Sequence, residues 1–171
     1  MFQFQKSQMI GYFTANLAPN AMVQTDLTQI GFADETFDVI YASHVLEHVQ
    51  DDRQAMKEIF RILKVGGWAI LQVPLFGETT YEDPRIVDPK EREQAFGQHD
   101  HVRVYGQDYY QRLSDVGFVV RREKITAQTD PVRSKVFGLV QNEEIPWCQK
   151  TCSAAALSGE SQGSALRVNT E

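Results

Sequence analysis

An α/β fold, built on a mostly parallel sheet with helices on both faces, is what the sequence predicts, and two observations carry that expectation. FDVIYAS (Phe37 to Ser43) and WAILQVPL (Trp68 to Leu75) are short, mostly apolar runs that include β-branched residues, the pattern of strands buried on both faces of a parallel sheet. Between them, DDRQAMKEIFRILK places Met56, Ile59, Phe60 and Leu63 at i, i+3, i+4 and i+7, which gives a helix one apolar stripe to lay on the sheet. Strand-helix-strand units of this kind connect right-handedly and put their strands in one parallel sheet.

The elements follow in order. GYFTANL (Gly11 to Leu17) and AMVQTDL (Ala21 to Leu27) read as short strands, ending near Asn16 and Asp26, and Ala33 to Thr36 turn the chain into the next strand. Asp51, with Gln54 three residues on, marks a capped helix start. Lys57, Arg61 and Lys64 favour that helix's C-terminal end, and Gly66-Gly67 are expected to stop it. Phe76 to Gly106 form a long stretch of the kind that is either functional or disordered. Tyr109, Leu113 and Val116 lie at helical spacing up to Gly117, and FVVRREKI follows as a strand. EEIPWCQK reads as a last strand placed at a sheet edge, because Pro146 cannot donate to a ladder. From Thr151 the chain is poor in large apolar groups. The expectation is therefore a domain over residues 1–150 and a disordered tail over 151–171.

With 171 residues and 42% hydrophobic content, the chain has enough for one core. A net charge of -6 without any run of Lys and Arg argues against nucleic acid as a partner. No apolar run is long enough to cross a bilayer, and MFQFQKSQMIGYF lacks the features of a signal peptide. A cytoplasmic location with no membrane partner is expected. Cys148 and Cys152 read as two free thiols rather than a metal clip or disulfide.

In open α/β sheets ligands bind beyond the carboxyl ends of the strands, and SHVLEHVQDD follows FDVIYAS at such an end. His44, Glu47 and His48 spell H-x-x-E-H, a zinc signature when both histidines share one face of a regular helix and a third ligand follows. Here the string lies on a strand-to-helix loop, with the helix start at Asp51. No metal is expected, a zinc hydrolase through His44, Glu47 and His48 is the remote alternative, and a loop whose histidines merely hydrogen bond is the plain one.

The run DLTQIGFADETFDVIYASHVLEHVQDDRQAMKEIFRILKVGGWAILQVP resembles the core of the class I S-adenosylmethionine-dependent methyltransferases, specifically their type 11 group. The shared pattern is an Asp followed by a hydrophobe, an acidic-Phe-Asp turn, a strand ending near H-V-L-E-H, a helix, L-K-P-G-G and another strand, with Val65 where the family usually has Pro. The likeness extends more weakly from about Tyr12 to about Lys150. It implies a Rossmann-like methyltransferase fold, S-adenosylmethionine as cofactor and transfer of a methyl group to a small-molecule acceptor. By the same resemblance, Asn16 stands where an acidic residue holds the ribose, with Leu17 beside it. Asp26 takes the adenine amino group while Leu27 covers the ring, and Ser43 and His44 form the rim against the methionine part. Glu47 and His48 would then orient that rim toward the substrate or start the next helix turn. The long stretch after the fifth strand would be a lid that brings His99, Asp100 and Arg103 to the acceptor, though the same groups could instead pair to pin the loop. His44 and His101 are the first candidates for a catalytic base, so that alanine at either lowers turnover.

One departure sits at the front. The family's first strand ends in an acidic-x-Gly-x-Gly loop, and none precedes GYFTANL. The first strand and helix are therefore expected to be missing, leaving a gap between GYFTANL and FDVIYAS. The chain would then be part of a longer methyltransferase, a noncatalytic truncated fragment, or a subunit completed by a second copy in a homodimer or by the missing N-terminal segment, with weak cofactor binding by itself.

Overall fold

The structure, a computed structural model, describes residues 11–124, 129–140 and 143–152; of the expected tail only Thr151 and Cys152 lie inside them. Two brief strands open it, β1 (Ala15–Asn16) and β2 (Val23–Gln24), paired in parallel. Next come β3 (Phe37–Ser43), a 3-10 turn (Leu46–His48), α1 (Asp52–Ile62) and β4 (Leu63–Gln72). They are followed by β5 (Tyr81–Glu82), α2 (Pro89–Phe96), β6 (Arg103–Val104) and α3 (Tyr109–Val116). The chain continues with β7 (Val119–Glu123), α4 (Pro131–Val136) and β8 (Ile145–Gln149). No helix among the described residues is long and apolar enough to cross a membrane.

The strand-helix-strand unit forms as its pattern requires. β3 and β4 are parallel, with Ile40 opposite Ala69 and Ala42 opposite Leu71. The Asp51 carboxylate accepts from the Gln54 backbone N–H at 2.9 Å, satisfying one of the donors a helix start leaves open. The C-terminal boundary differs from expectation. α1 ends at Ile62, because Leu63 turns extended and pairs with Phe37 while the Lys64 ammonium sits 2.9 Å from both Asp38 oxygens. The two glycines lie inside β4. Gly66 takes φ 84° and a Cβ at Gly67 would meet the Asp38 carbonyl at 2.8 Å, so they shape an irregular strand start rather than a helix stop.

The main sheet is mixed, in the order β3-β4-β8-β7, with β8 antiparallel to both neighbours. The strand expected at an edge is thus internal. Pro146 lies past the last β4 pairing, Ile70 with Trp147, and opposes only Arg122 of β7. β8 therefore loses no ladder bond to β4 at the proline. β1 and β2 form a separate sheet.

Alternation along β4 decides where the core sits. Ala69, Leu71 and Val73 turn inward with Ala55, Met56, Ile59 and Ile62 of α1, Tyr109 and Leu113 of α3, and Cys148 of β8. Trp68 and Ile70 occupy the other face, where Trp68 packs against Trp147 at a ring separation of 5.6 Å. Burial pushes the Cys148 thiol up to about 12, whereas Cys152 is exposed. A thiol so rarely ionised is a poor nucleophile. An aromatic disulfide reagent is thus expected to label one thiol rapidly in the native protein and two after denaturation. Two fast thiols in the native protein would contradict the burial of Cys148.

The long stretch after β4 is neither open nor irregular throughout. Asp88 caps α2 by accepting from the Lys90 and Glu91 backbone N–H groups, Pro89 opens the helix, and Gly97 closes it at φ 86°. β5 pairs antiparallel with β6.

Candidate functional site

His44 is where the chain leaves the sheet. It takes φ 56°, a left-handed backbone that costs a non-glycine residue energy and tends to persist where the surroundings enforce it. Its N–H donates to the Gln72 carbonyl of β4 at 2.9 Å, so the last ladder bond of β3 fixes the turn. The ring is 59% exposed, with Nδ1 3.3 Å from Glu47 Oε1. Leu46 points into the core, and Glu47 beside it is buried, at 2% exposure.

The turn is held from below by Arg103. This side chain, 3% exposed, donates to the carbonyls of Leu46, Val49 and Gln50 and to the Glu82 carboxylate at 2.9 Å. The Val102 N–H adds a bond to the Glu47 carbonyl at 3.0 Å. Beneath lies a buried ionic cluster. Asp52 accepts from the Tyr105 hydroxyl at 2.7 Å and from Arg112 at 3.1 Å, and Arg112 reaches Glu82 at 2.9 Å.

Above the turn lies a hollow of about 1070 Å³ at the carboxyl end of β3. One wall carries Asn16, Leu17, Asp26 and Leu27, and the other His44, His48, Gln54 and Asp100. Asp26 and His44 therefore face a common space. Asp26 Oδ1 accepts from the Thr28 backbone N–H at 2.8 Å and the Thr28 hydroxyl at 2.7 Å, and these bonds hold its carboxyl below the usual carboxylate range. The Asn16 amide accepts from the Ala18 N–H at 3.3 Å and donates to Asn20 at 3.0 Å. A second, apolar hollow of about 340 Å³ opens between β1 and β3 and is lined by Phe13, Leu27, Phe37, Val39, Tyr41 and Ser43. Tyr41 stands 71% exposed on β3, whose edge toward this hollow carries no strand among the described residues.

Of the residues singled out in the sequence, Asn16, Leu17, Asp26, Leu27, His44, His48 and Asp100 line the larger hollow, and Ser43 lines the smaller. Glu47 lies buried under the turn, and His101, 7% exposed, sits edge-on behind His48 with ring centroids 4.6 Å apart. Arg103 points inward, and His99 is exposed after α2. Gln50, Asp51 and Gln54 also reach the hollow; the signal for them was the helix start itself, which lies at the same sheet edge.

A protein family described as "Methyltransferase domain" matches residues 5–71. A 60-residue stretch is 40% identical to the ubiquinone/menaquinone biosynthesis C-methyltransferase of Xanthomonas oryzae pv. oryzae, covering 35% of this chain and 23% of that protein. A 47-residue stretch is 43% identical to the sterol 24-C-methyltransferase of Aspergillus fumigatus, covering 28% of this chain and 12% of that protein. The matched segments thus span less than a quarter of these relatives. The crystal structure of 1,6-didemethyltoxoflavin-N1-methyltransferase from Burkholderia thailandensis, with bound 1,6-didemethyltoxoflavin and S-adenosylhomocysteine, is similar over 76% of this chain and 50% of that chain. Its identity is 12% and the TM-score 0.49.

Proposed function

We propose that this chain, whose residues 5–71 match a family described as "Methyltransferase domain", is a class I S-adenosylmethionine-dependent methyltransferase domain, that the larger hollow receives S-adenosylmethionine and that the domain methylates a small-molecule acceptor. The observation that carries this reading is the shared space between Asp26 and His44 at a strand's carboxyl end, where open α/β sheets bind ligands. The residues fit the group. Asp26 spends Oδ1 on its own turn, and Oδ2 is the acceptor left for an adenine amino group. Leu27 supplies an apolar cover. Asn16 offers an amide rather than a carboxylate to the ribose, and its local bonds to Ala18 and Asn20 compete for it, so the ribose is held without charge assistance.

When bound, the cofactor brings a methyl group already activated by its sulfonium. The chain's own task is then to hold the acceptor in line and exclude water. His44 stands at the rim, exposed enough to hydrogen bond an acceptor, and His48 with Asp100 continues the same wall. His101 lies one layer behind and acts through His48 rather than on the acceptor directly. The open apolar edge of β3 favours a further element of this reading: a strand supplied by another segment or chain completes the wall at Val39 and Tyr41 and tightens cofactor binding.

Calorimetry with S-adenosylhomocysteine tests the proposal. Asp26→Ala removes a hydrogen bond to a charged acceptor, so affinity is expected to fall by about 10- to 100-fold. The same affinity in both proteins, or no saturable heat with the unaltered one, would refute the assignment of this hollow.

A further inference from the structure

Glu47 poses a question that methyl transfer does not answer. Its carboxylate is 2% exposed and neither oxygen accepts a hydrogen bond from the described residues; His44 Nδ1 approaches Oε1 at 3.3 Å, outside hydrogen-bond geometry. A buried carboxylate without partners is costly, and proteins ordinarily compensate it with a cation. Two further imidazoles, those of His48 and His101, stand beside it. One ligand atom each from Glu47, His48 and His101 lies within 4.8 Å of the others, and zinc–nitrogen bonds measure about 2.0–2.1 Å, so small side-chain rotations close this triangle on an ion.

Second contacts arrange the same three residues for that purpose. Asp100 Oδ2 lies 3.3 Å from His48 Nδ1; a carboxylate on that side favours a proton on Nδ1 and so leaves the Nε2 lone pair for an ion. The bond from Val102 N–H to the Glu47 carbonyl, with Arg103 bound to the turn carbonyls, clamps the His101 segment against the Glu47 turn. His48 and Asp100 line the larger hollow, so the open coordination positions face solvent and any acceptor.

We propose that Glu47, His48 and His101 form a binding site for a divalent transition-metal ion of the zinc, cobalt or iron(II) class. Two imidazoles and one carboxylate suit those ions rather than magnesium or calcium, which prefer oxygen ligands. The set differs from the H-x-x-E-H reading, because the exposed His44 is not a ligand and the third one comes from the segment after α2. Binding takes the two histidines neutral and Glu47 ionised, and any proton they carry beforehand is released to solvent. The site does not depend on the methyl-donor assignment.

The test is metal binding by the full chain, stripped with a chelator, titrated with Co²⁺ under visible absorption and then displaced by Zn²⁺. One equivalent of Co²⁺ with a saturable d–d spectrum that Zn²⁺ abolishes is expected. Glu47→Gln and His101→Ala, checked for folding by circular dichroism, are each expected to lower Zn²⁺ affinity at least about tenfold. Cys152→Ser should leave it unchanged. The absence of saturable Co²⁺ binding in the unaltered chain overturns the proposal whatever the variants do, and so does binding that survives both ligand substitutions or vanishes with Cys152→Ser. Calorimetry with S-adenosylhomocysteine reads the other hollow wall, so either proposal can fail alone.

Discussion

Arg103→Ala is expected to destabilise the domain by about 3–5 kcal/mol, the usual cost of removing one partner from a buried ionic group. The guanidinium is almost fully buried and divides its donors among three turn carbonyls and Glu82, with Asp52 at 3.8 Å. Alanine takes the side-chain donor from the Val49 and Gln50 carbonyls, while the Leu46 carbonyl keeps the Val49 N–H and Glu82 keeps Arg112; each acceptor left bare carries its desolvation cost. Arg112 still neutralises Asp52, which sets the loss toward the lower end of that range. For a chain of this size the melting temperature should drop by roughly 10 °C. The turn carrying His44 to His48 should also lose amide protection in hydrogen exchange before α1 does, because the hydrogen bonds of Arg103 go to backbone carbonyls before α1 and none to the helix backbone. A melting temperature within about 2 °C of the unaltered chain would show that the clamp contributes little.

How much of this could be read beforehand depended on whether the governing contacts were local. The Asp51 cap and the Met56–Ile59 stripe are interactions within one or two turns, so spacing alone reveals them. That Asp26 and His44 share a hollow agrees with the strand-end rule, since each follows the carboxyl end of a strand, β2 and β3, although these lie in separate sheets. The glycines of β4 were misleading because Gly-Gly after a helical stripe matches a helix stop, whereas the competing pairing of Leu63 with Phe37 is set by a strand 26 residues upstream. Pro146 is an edge signal by its missing N–H alone, whereas the β4 pairing that decides the matter stops at Trp147, one residue short of it. The H-x-x-E-H string lies on a loop, where its spacing does not bring both histidines to one face, whereas Glu47 and His48 approach His101, far along the chain. Charged residues such as Asp52, Glu82, Arg103 and Arg112 look like surface groups in a sequence. Only the fold shows them converging around Tyr105.

Gly106→Ala is the second large effect, and its sign rests on two opposed terms. Gly106 is not among the glycines with positive φ, so on backbone grounds alanine should stabilise by about 0.4–1 kcal/mol through the unfolded chain. Space decides otherwise. A Cβ there would lie 2.5 Å from the backbone carbonyl carbon and nitrogen of Thr79 and 2.6 Å from the carbonyl carbon of Glu78. These are main-chain atoms, held on both sides. The Gln107 N–H donates to the Gly77 carbonyl, the Asp108 N–H donates to the Glu78 carbonyl, and Asp108 Oδ1 accepts from the Thr80 N–H and hydroxyl at 2.8 and 2.7 Å. A methyl group cannot be accommodated by rotating a side chain, so the two segments must part and several of these bonds weaken together. Overpacking typically costs about 1–3 kcal/mol and occasionally more, and a clash with pinned backbone belongs at the upper end. Gly106 immediately follows the strand segment that carries Arg103 and Tyr105 to the ionic cluster, so the displacement should also loosen the floor under Glu47. The measurement is amide exchange with thermal melting of Gly106→Ala: faster exchange at Thr80, Gln107 and Asp108 with a lowered melting temperature is expected. A variant that melts at or above the temperature of the unaltered chain would mean that the entropic term wins and that the close approach of the two segments is softer than their hydrogen bonds indicate.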